Sequence, residues 1–318
     1  MTQVGQLEVS RQGYGAMGLS HSYGRADEAE SIETLHRAVE LGVTFFDTAT
    51  GYGNGHNEEL LGRALSWRRD EIVVASKFVH HPGGRDGPRL DPQEAVDASL
   101  RRLGFERIDL YYLHRIDPDI PVEESIGALG RLVEQGKIGG VGISEADADQ
   151  LRRAHATHPL TALQSEYSLW TRGVEAEILP TARELGIGFV AYSPLGRGFL
   201  AGVSAPGAED RRSVHPRFQP DAIAANTRRR ATIEQVAERL GATPAQVALA
   251  WVLSKDGVVP IPGTRHIRHL ESNWAANDLR LSADDIAELE ATFTPGSTVG
   301  ERYPAEQLKL VPREPVAA

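Results

Sequence analysis

Four side chains with complementary acid–base chemistry fall at or just past the ends of three consecutive predicted strands. Asp47 closes the run Val43-Thr44-Phe45-Phe46, and Tyr52 follows five residues later in Thr48-Ala49-Thr50-Gly51-Tyr52-Gly53. Lys77 follows Ile72-Val73-Val74-Ala75-Ser76, and His114 follows Ile108-Asp109-Leu110-Tyr111-Tyr112-Leu113. A carboxylate, a phenol, an ammonium and an imidazole brought together make a proton-donating site for a polarised carbonyl. Taken singly, each residue has a plainer role: a turn cap for Asp47, surface decoration for Tyr52, a rim position for Lys77, a core site for His114. Taken together, they require a reason why three strands end in charge or imidazole on one face, and the C-terminal face of a parallel barrel supplies it. The lysine is informative in its own right. Only four of the 34 basic residues are lysine (Lys77, Lys137, Lys255, Lys309), and the other thirty are arginine. A compact ammonium with a tunable pKa is something arginine cannot provide.

The elements that would position these groups alternate along the whole chain. Strands are predicted at 13–18, 43–46, 72–76, 108–113, 139–143, 161–164, 187–191 and 258–261. Helical periodicity lies between them, as in Asp27–Leu41 with Ile32, Leu35 and Val39 on one stripe. Val122–Gln135 carries Val122, Ile126, Leu129 and Val133, with Gly136 suited to the position after the helix. Thr243-Pro244 is a helix start, threonine as N-cap and proline at the first helical position. Eight strand and eight helix slots without a compositional break predict one α/β domain spanning 1–318, a closed (β/α)₈ TIM barrel rather than a doubly wound sheet. Two stretches depart from the alternation: a long loop over 196–226, rich in glycine, proline and charge, and a C-terminal tail from 294. Connections of that length are functional lids or insertions.

Composition narrows the function. With no cysteine among 318 residues there is no disulfide, thiolate metal site or cysteine nucleophile. The net charge of −10 argues against a nucleic-acid or membrane-surface role. No basic-then-apolar leader and no membrane-length apolar run occur, so the expected location is cytoplasmic. The expected partner is a small molecule. Oligomeric state is not readable, and monomer is the default.

Two motifs mislead when read alone. Gly13-Tyr14-Gly15-Ala16-Met17-Gly18 matches the dinucleotide pattern G-x-G-x-x-G, but turn-like residues rather than a helix follow it. The acidic ribose ligand of that fingerprint would fall inside the helix Asp27–Leu41. The glycines are better read as allowing close backbone approach to a ligand or a neighbouring strand. His80-His81 lacks a third ligand at suitable spacing for a metal and reads as a pair of loop histidines.

Phe46-Asp47-Thr48-Ala49-x-x-Tyr52-Gly53 followed by Asn57-Glu58-x-x-Leu61-Gly62 resembles the signature of the aldo-keto reductases. The resemblance continues through Ser76-Lys77, Leu110–His114, Gly142-Ile143-Ser144, Gln164–Tyr167, Ala191–Gly196 and Ile261–Arg265 to Asn273. Ala191–Gly198 and Gly300–Pro304 are most similar to a branch of bacterial and plant reductases. The resemblance implies an NADPH/NADP⁺-dependent oxidoreductase that reduces aldehydes or ketones. Tyr52 would be its general acid, Lys77 would lower the phenol pKa, Asp47 would hold Lys77 in place, and His114 would orient the carbonyl. It also implies cofactor contacts from Gly15, Ala16, Met17, Asp47, Ser144, Gln164 and Tyr192. The loop Ser193, Pro194, Leu195, Gly196, Arg197, Gly198 would hold the pyrophosphate. Thr264, Arg265, Arg268, His269 and Asn273 would hold the adenosine end, with the arginines favouring NADPH. No metal is implied. Glu145 stands where asparagine is common, and a carboxylate cannot donate to a carboxamide oxygen. Tyr23, Phe78, His80, Arg115, Trp170, Tyr303 and the late loop 197–218 are expected pocket walls. The alternative functions are an NADPH-binding regulatory subunit with vestigial catalysis, which has no need of the whole tetrad, and a metal-dependent barrel hydrolase, which would need a His/Asp ligand cluster.

Overall fold

A computed structural model describes residues 1–20, 23–24, 26–82, 87–203, 206–207 and 210–312. Parts of the turn after the first strand, of the predicted loop and of the tail therefore lie outside the described residues. The chain opens with an antiparallel hairpin, β1 (Thr2–Val4) and β2 (Leu7–Val9). Eight parallel strands follow: β3 (Tyr14–Gly15), β4 (Phe45–Asp47), β5 (Val73–Phe78), β6 (Leu110–Leu113), β7 (Val141–Ser144), β8 (Leu160–Glu166), β9 (Gly188–Tyr192) and β10 (Val258–Pro260). They pair in sequence order from β3 to β10. The ring is closed by the Gly13 N–H donating to Pro260 O (2.9 Å) and the Gly15 N–H to Pro262 O (3.2 Å). This seam explains the early glycines. A Cβ on Gly15 would lie 2.7 Å from Ile261 O, and one on Gly263 would lie 2.2 Å from Gly15 O. The neighbour they approach is the last strand.

Helices occupy the outer layer: α1 (Glu28–Leu41), α2 (His56–Leu65), α3 (Pro92–Leu103), α4 (Val122–Glu134), α5 (Ala148–Thr157) and α6 (Ile178–Glu184) each follow one strand. Two helices follow β9, α7 (Pro220–Leu240) and α8 (Pro244–Leu253), and two follow β10, α9 (Ile267–Ala275) and α10 (Ala283–Thr292). Their starts are written locally. Asp27 accepts from the Glu30 N–H ahead of α1, and Thr243 and Gln246 form a capping box at α8. Gly136 adopts φ 75° just after α4, in the left-handed conformation expected of a helix terminator. The predicted loop over 196–226 is shorter than expected. Pro220 at the first turn starts α7, and among the described residues three short 3₁₀ turns, Gly196–Ala201, Arg211–Val214 and Pro216–Phe218, precede it. The tail carries one further turn, α11 (Ala305–Leu308).

Alternation along the strands separates two cores. Phe45, Ala75, Leu110, Tyr112, Ala162, Val190 and Val259 fill the barrel interior, where Val4 and Val9 of the hairpin join them. The hairpin meets the N-terminal strand ends, since a Cβ on Gly188 would lie 2.4 Å from Gly5 N. It plugs the bottom of the barrel. Phe46, Val74, Phe78, Tyr111, Leu113 and Ile143 face outward into the helix layer. The opposite end stays open to polar groups, because the inward register that starts with Phe45, Ala75 and Tyr112 continues to Asp47, Lys77 and His114.

Candidate active site

The inward register delivers Asp47, Lys77 and His114 to the C-terminal face, and Tyr52 reaches them from the loop after β4. Lys77 is fully enclosed, and its three N–H donors each have an acceptor: Asp47 Oδ1, Thr48 O (2.8 Å) and the Tyr52 hydroxyl (3.4 Å). Gln164 Nε2 donates to the other Asp47 oxygen at 2.8 Å. The Tyr52 and His114 rings meet edge to face, centroids 5.9 Å apart. Among the described residues no side chain or backbone group bonds either nitrogen of the His114 ring. The Tyr52 hydroxyl and the His114 ring are therefore both open to a substrate oxygen.

The second half of the sequence signature holds this arrangement from behind. Asn57 is buried and accepts from Thr48 Oγ1 (2.6 Å), while its amide donates to Ala16 O (2.9 Å) and Ser20 Oγ (2.8 Å). It thereby ties β4 to the turn after β3. The buried Glu58 carboxylate accepts from Ser76 Oγ and from Arg102 Nε (2.6 Å), anchoring α2 to β5 beside Lys77. Gly62 lets α2 and α3 pack closely, for a Cβ there would lie 2.1 Å from Leu103 O.

Burial dominates the electrostatics. It pushes Lys77 below and Asp47 above their ordinary values, while their mutual contact favours the charged form of each. Burial, then the charges of Arg115 and Lys77, hold the His114 imidazole well below its usual pKa, so it is neutral at physiological pH. The Tyr52 phenol moves opposite to the sequence-based expectation. Burial and the Asp47 carboxylate raise its pKa, against the lowering pull of Arg115 and Arg197. The Lys77 ammonium is matched by Asp47 in direct contact.

Backbone strain marks the same face. The non-glycine residues with positive φ among the described residues are Asn54, Glu145, Ser193 and Arg197, at φ 54°, 55°, 50° and 55°. All four lie in loops beyond C-terminal strand ends, where strained conformations serve sites more often than stability. Ser144 ends β7, and its Oγ accepts from Arg115 Nη1 at 3.1 Å. Tyr192 ends β9, its hydroxyl 2.8 Å from that of Tyr303. The loop from Ser193 to Gly198 turns through left-handed conformations at Ser193, Gly196, Arg197 and Gly198. Thr264 and Arg265 follow β10 at the start of α9. The Tyr14 hydroxyl donates to Thr264 O, and Thr34 Oγ1 donates to Arg265 O (3.2 Å). No side chain caps α9, Arg268 and His269 are exposed on its first turn, and the buried Asn273 amide makes no hydrogen bond among the described residues. Gly15, Ala16 and Met17 lie at the head of β3, with Ala16 buried and Met17 partly exposed.

The Aldo/keto reductase family model matches residues 12–293. The chain belongs to this family. It is 44% identical over 308 residues to "Probable aldo-keto reductase 1" of Glycine max, covering 93% of this chain and 89% of that one. Among solved structures it is similar to an aldo-keto reductase from Klebsiella pneumoniae in complex with NADPH, with a TM-score of 0.76 and 30% identity over 95% of this chain and 98% of that one. A second Klebsiella pneumoniae aldo/keto reductase structure, in complex with NADP and acetate, has a TM-score of 0.76 and 29% identity over the same shares.

In this aldo/keto reductase several expected pocket walls turn out to be core. Phe78 faces out of the barrel, stacked on Tyr111 at 5.7 Å, because it is one residue out of register with Lys77. His80 is buried against Phe78 and bonds Ser125 Oγ of α4 at 2.8 Å. Trp170 is buried beneath the late loop, stacked on Phe199 at 4.1 Å. Tyr23, Arg115 and Tyr303 do border the tetrad: Arg212 lies over the Tyr23 ring (4.9 Å), and Arg115 Nη2 donates to the Tyr303 hydroxyl (3.3 Å).

The sequence reading missed a buried ion-pair cluster that fastens the tail across the barrel mouth. Arg302 donates to both oxygens of Glu145, at 3.2 and 3.0 Å, and Glu145 also accepts from the Glu166 N–H at 2.9 Å. Glu166 is approached by Arg197 at 3.4 Å and by Arg217 at 3.7 Å. Burial alone would raise the Glu145 pKa; the charges of Arg302 and Arg115 more than offset it and hold the carboxyl below its usual range. Here the departure from asparagine is explained, for Glu145 is the acceptor for Arg302. The only signal available was that unusual carboxylate, together with Gly300-Glu301-Arg302-Tyr303-Pro304 in the tail.

Proposed function

We propose that this protein is an NADP(H)-dependent oxidoreductase that reduces aldehydes or ketones to alcohols, with Tyr52 as the proton donor. The observation that carries the reading is the convergence of Lys77 on Asp47, Thr48 O and the Tyr52 hydroxyl, beside a neutral His114 whose ring nitrogens are open. When bound, the nicotinamide supplies hydride to the carbonyl carbon. The residues of this chain do the rest. His114 holds the carbonyl oxygen by a hydrogen bond, and Tyr52 transfers its proton to that oxygen as negative charge develops there. A raised phenol pKa does not prevent this, because an alkoxide is more basic than a phenolate. Lys77 stabilises the phenolate left behind, and Asp47 and Thr48 O fix the ammonium.

The chain fits such a cofactor. Ser144 and Gln164 bring hydroxyl and amide groups to the strand ends for the carboxamide, and Tyr192 offers a ring face to the nicotinamide. Backbone N–H groups turned through left-handed conformations at 193–198 suit a pyrophosphate. The uncapped α9 N-terminus, flanked by Thr264, Arg265, Arg268 and His269, suits a 2′-phosphate, with Asn273 at the adenine. The reading is supported by a family match over most of the chain and by a neighbour with NADPH bound. A panel of carbonyl compounds followed at the NADPH absorbance band tests it: the absence of turnover with every reactive aldehyde would overturn it.

Two expected results belong to this site. Arg265→Ala should weaken NADPH roughly tenfold to a hundredfold, the worth of one hydrogen bond to a charged group, and leave NADH almost untouched. The difference should shrink with added salt. Titrating both cofactors by fluorescence quenching checks this, and equal losses would place the phosphate elsewhere. The pH profile of kcat should also be broad. A phenol raised above its ordinary value of about 10 keeps its proton as the pH rises, and an imidazole lowered below about 6.5 stays neutral as the pH falls. At saturating substrate and cofactor, kcat for reduction should therefore be flat from roughly pH 6.5 to 9. A descending limb centred near pH 8 would show that the working acid has a lowered pKa.

A further inference from the structure

The barrel mouth gathers arginine in a chain whose net charge is −10. Arg115, Arg197, Arg212, Arg217 and Arg302 gather there, and among the described residues Glu145, Glu166 and Asp210 lie against them as counter-charges. Four of the five arginines reach a carboxylate: Arg302 on Glu145 (3.0 Å), Arg197 and Arg217 on Glu166 (3.4 and 3.7 Å), and Arg212 on Asp210 (2.5 Å). Arg115 is different. Among the described residues no carboxylate oxygen lies within 4.0 Å of it. Its hydrogen bonds all go to neutral acceptors: His114 O (2.7 Å), Ser144 Oγ (3.1 Å) and the Tyr303 hydroxyl (3.3 Å). A guanidinium has five donors, so its Nε–H and one Nη2–H remain without an acceptor among those residues.

Cofactor phosphates do not account for this cation. The segments suited to them follow β9 and β10, whereas Arg115 stands at the end of β6, four strands away from β10 in a ring of eight and so across the barrel from it. It is instead the immediate chain neighbour of His114, and its side chain is partly exposed between the ends of β6 and β7 and the tail residue Tyr303. A charged donor pair held rigid by three hydrogen bonds, next to the carbonyl-binding imidazole, is suited to recognising a planar anion.

We propose that Arg115 binds a carboxylate on the substrate, so that the preferred substrates are oxo acids and carboxylated aldehydes rather than neutral carbonyls. The proposal deepens the reductase reading and rests on it for the position of the carbonyl. The comparison that tests it is meta-carboxybenzaldehyde against its methyl ester, which share a ring and an aldehyde and differ in charge. Wild-type kcat/KM should favour the acid by roughly tenfold to a hundredfold. Arg115→Gln should remove that preference mainly through KM, with a smaller loss for the ester, and Arg115→Lys should keep part of it. A second readout needs no turnover: meta-(hydroxymethyl)benzoate should quench the fluorescence of the NADPH-loaded protein at a lower concentration than its methyl ester, in wild type but not in Arg115→Gln. A wild-type preference for the ester, or equal losses for acid and ester in Arg115→Gln, would overturn the proposal and leave Arg115 as a support for Ser144 and Tyr303. If neither aldehyde is reduced, the reductase reading fails, while the quenching titration still decides whether Arg115 binds a carboxylate.

Discussion

Tyr52→Phe is expected to lower kcat by about 10²–10⁴, the usual span for a general acid, and to leave the NADPH dissociation constant nearly unchanged. The substitution keeps the ring, and with it the edge contact to His114 at 5.9 Å and the position over which the Lys77 ammonium lies at 5.1 Å. Only the hydroxyl is lost. No other member of the group can take its place as donor at neutral pH: Asp47 is committed to Lys77 and Gln164, and the charge of Lys77 is held among Asp47, Thr48 O and Tyr52. His114 is neutral, so it can offer a hydrogen bond but holds no extra proton to release. Steady-state kinetics on the best aldehyde of a panel, paired with an NADPH titration, separate loss of chemistry from loss of binding. Turnover near that of the wild type would identify a different acid.

How much of this site was legible in the sequence follows from the length scale of each signal. The period-2 register fixes which strand residues point inward, so Asp47, Lys77 and His114 could be placed from their distance to the preceding apolar run, and Asn57, Glu58 and Gly62 from a short-range signature. The same rule, applied strictly, would have put Phe78 outside the barrel, one residue beyond Lys77. Trp170 lies beyond the end of β8, where no periodicity constrains it, and its burial depends on Phe199 and Arg217, which are distant in sequence. The Glu145–Arg302 pair joins positions 157 residues apart and has no local pattern at all. The hairpin that plugs the barrel is built from three-residue strands, too short for alternation to register. The direction of the Tyr52 pKa was misjudged for a related reason. Sequence shows a lysine near a tyrosine and an aspartate to hold it, but not that the phenol is desolvated.

Lys77→Arg should be almost as inactive as Lys77→Met, although it keeps the charge. The ammonium occupies an enclosed space, with the Tyr112 ring centroid 5.8 Å away on one side and the Tyr52 ring centroid 5.1 Å away on the other. A planar guanidinium is larger than that space and cannot direct single donors to Asp47, Thr48 O and Tyr52 at once. The two variants should differ in stability. Lys77→Met leaves the Asp47 carboxylate buried with Gln164 as its one side-chain donor among the described residues, at a cost of about 3–5 kcal/mol. Burial already raises the Asp47 pKa, and removing the ammonium raises it further. A carboxyl whose folded-state pKa lies above its unfolded value favours folding when protonated. The deficit of Lys77→Met should therefore be full above the raised Asp47 pKa and shrink as the pH falls below it towards the ordinary carboxyl value. Adding Asp47→Asn to Lys77→Met should recover much of the stability at neutral pH and none of the activity, since it removes the uncompensated charge without restoring a donor to Tyr52. Urea unfolding at several pH values, alongside turnover, checks both halves. An arginine variant that retains most of the activity would show that charge alone suffices at this position, and a pH-independent deficit in Lys77→Met would show that Asp47 is not the group left exposed to the loss.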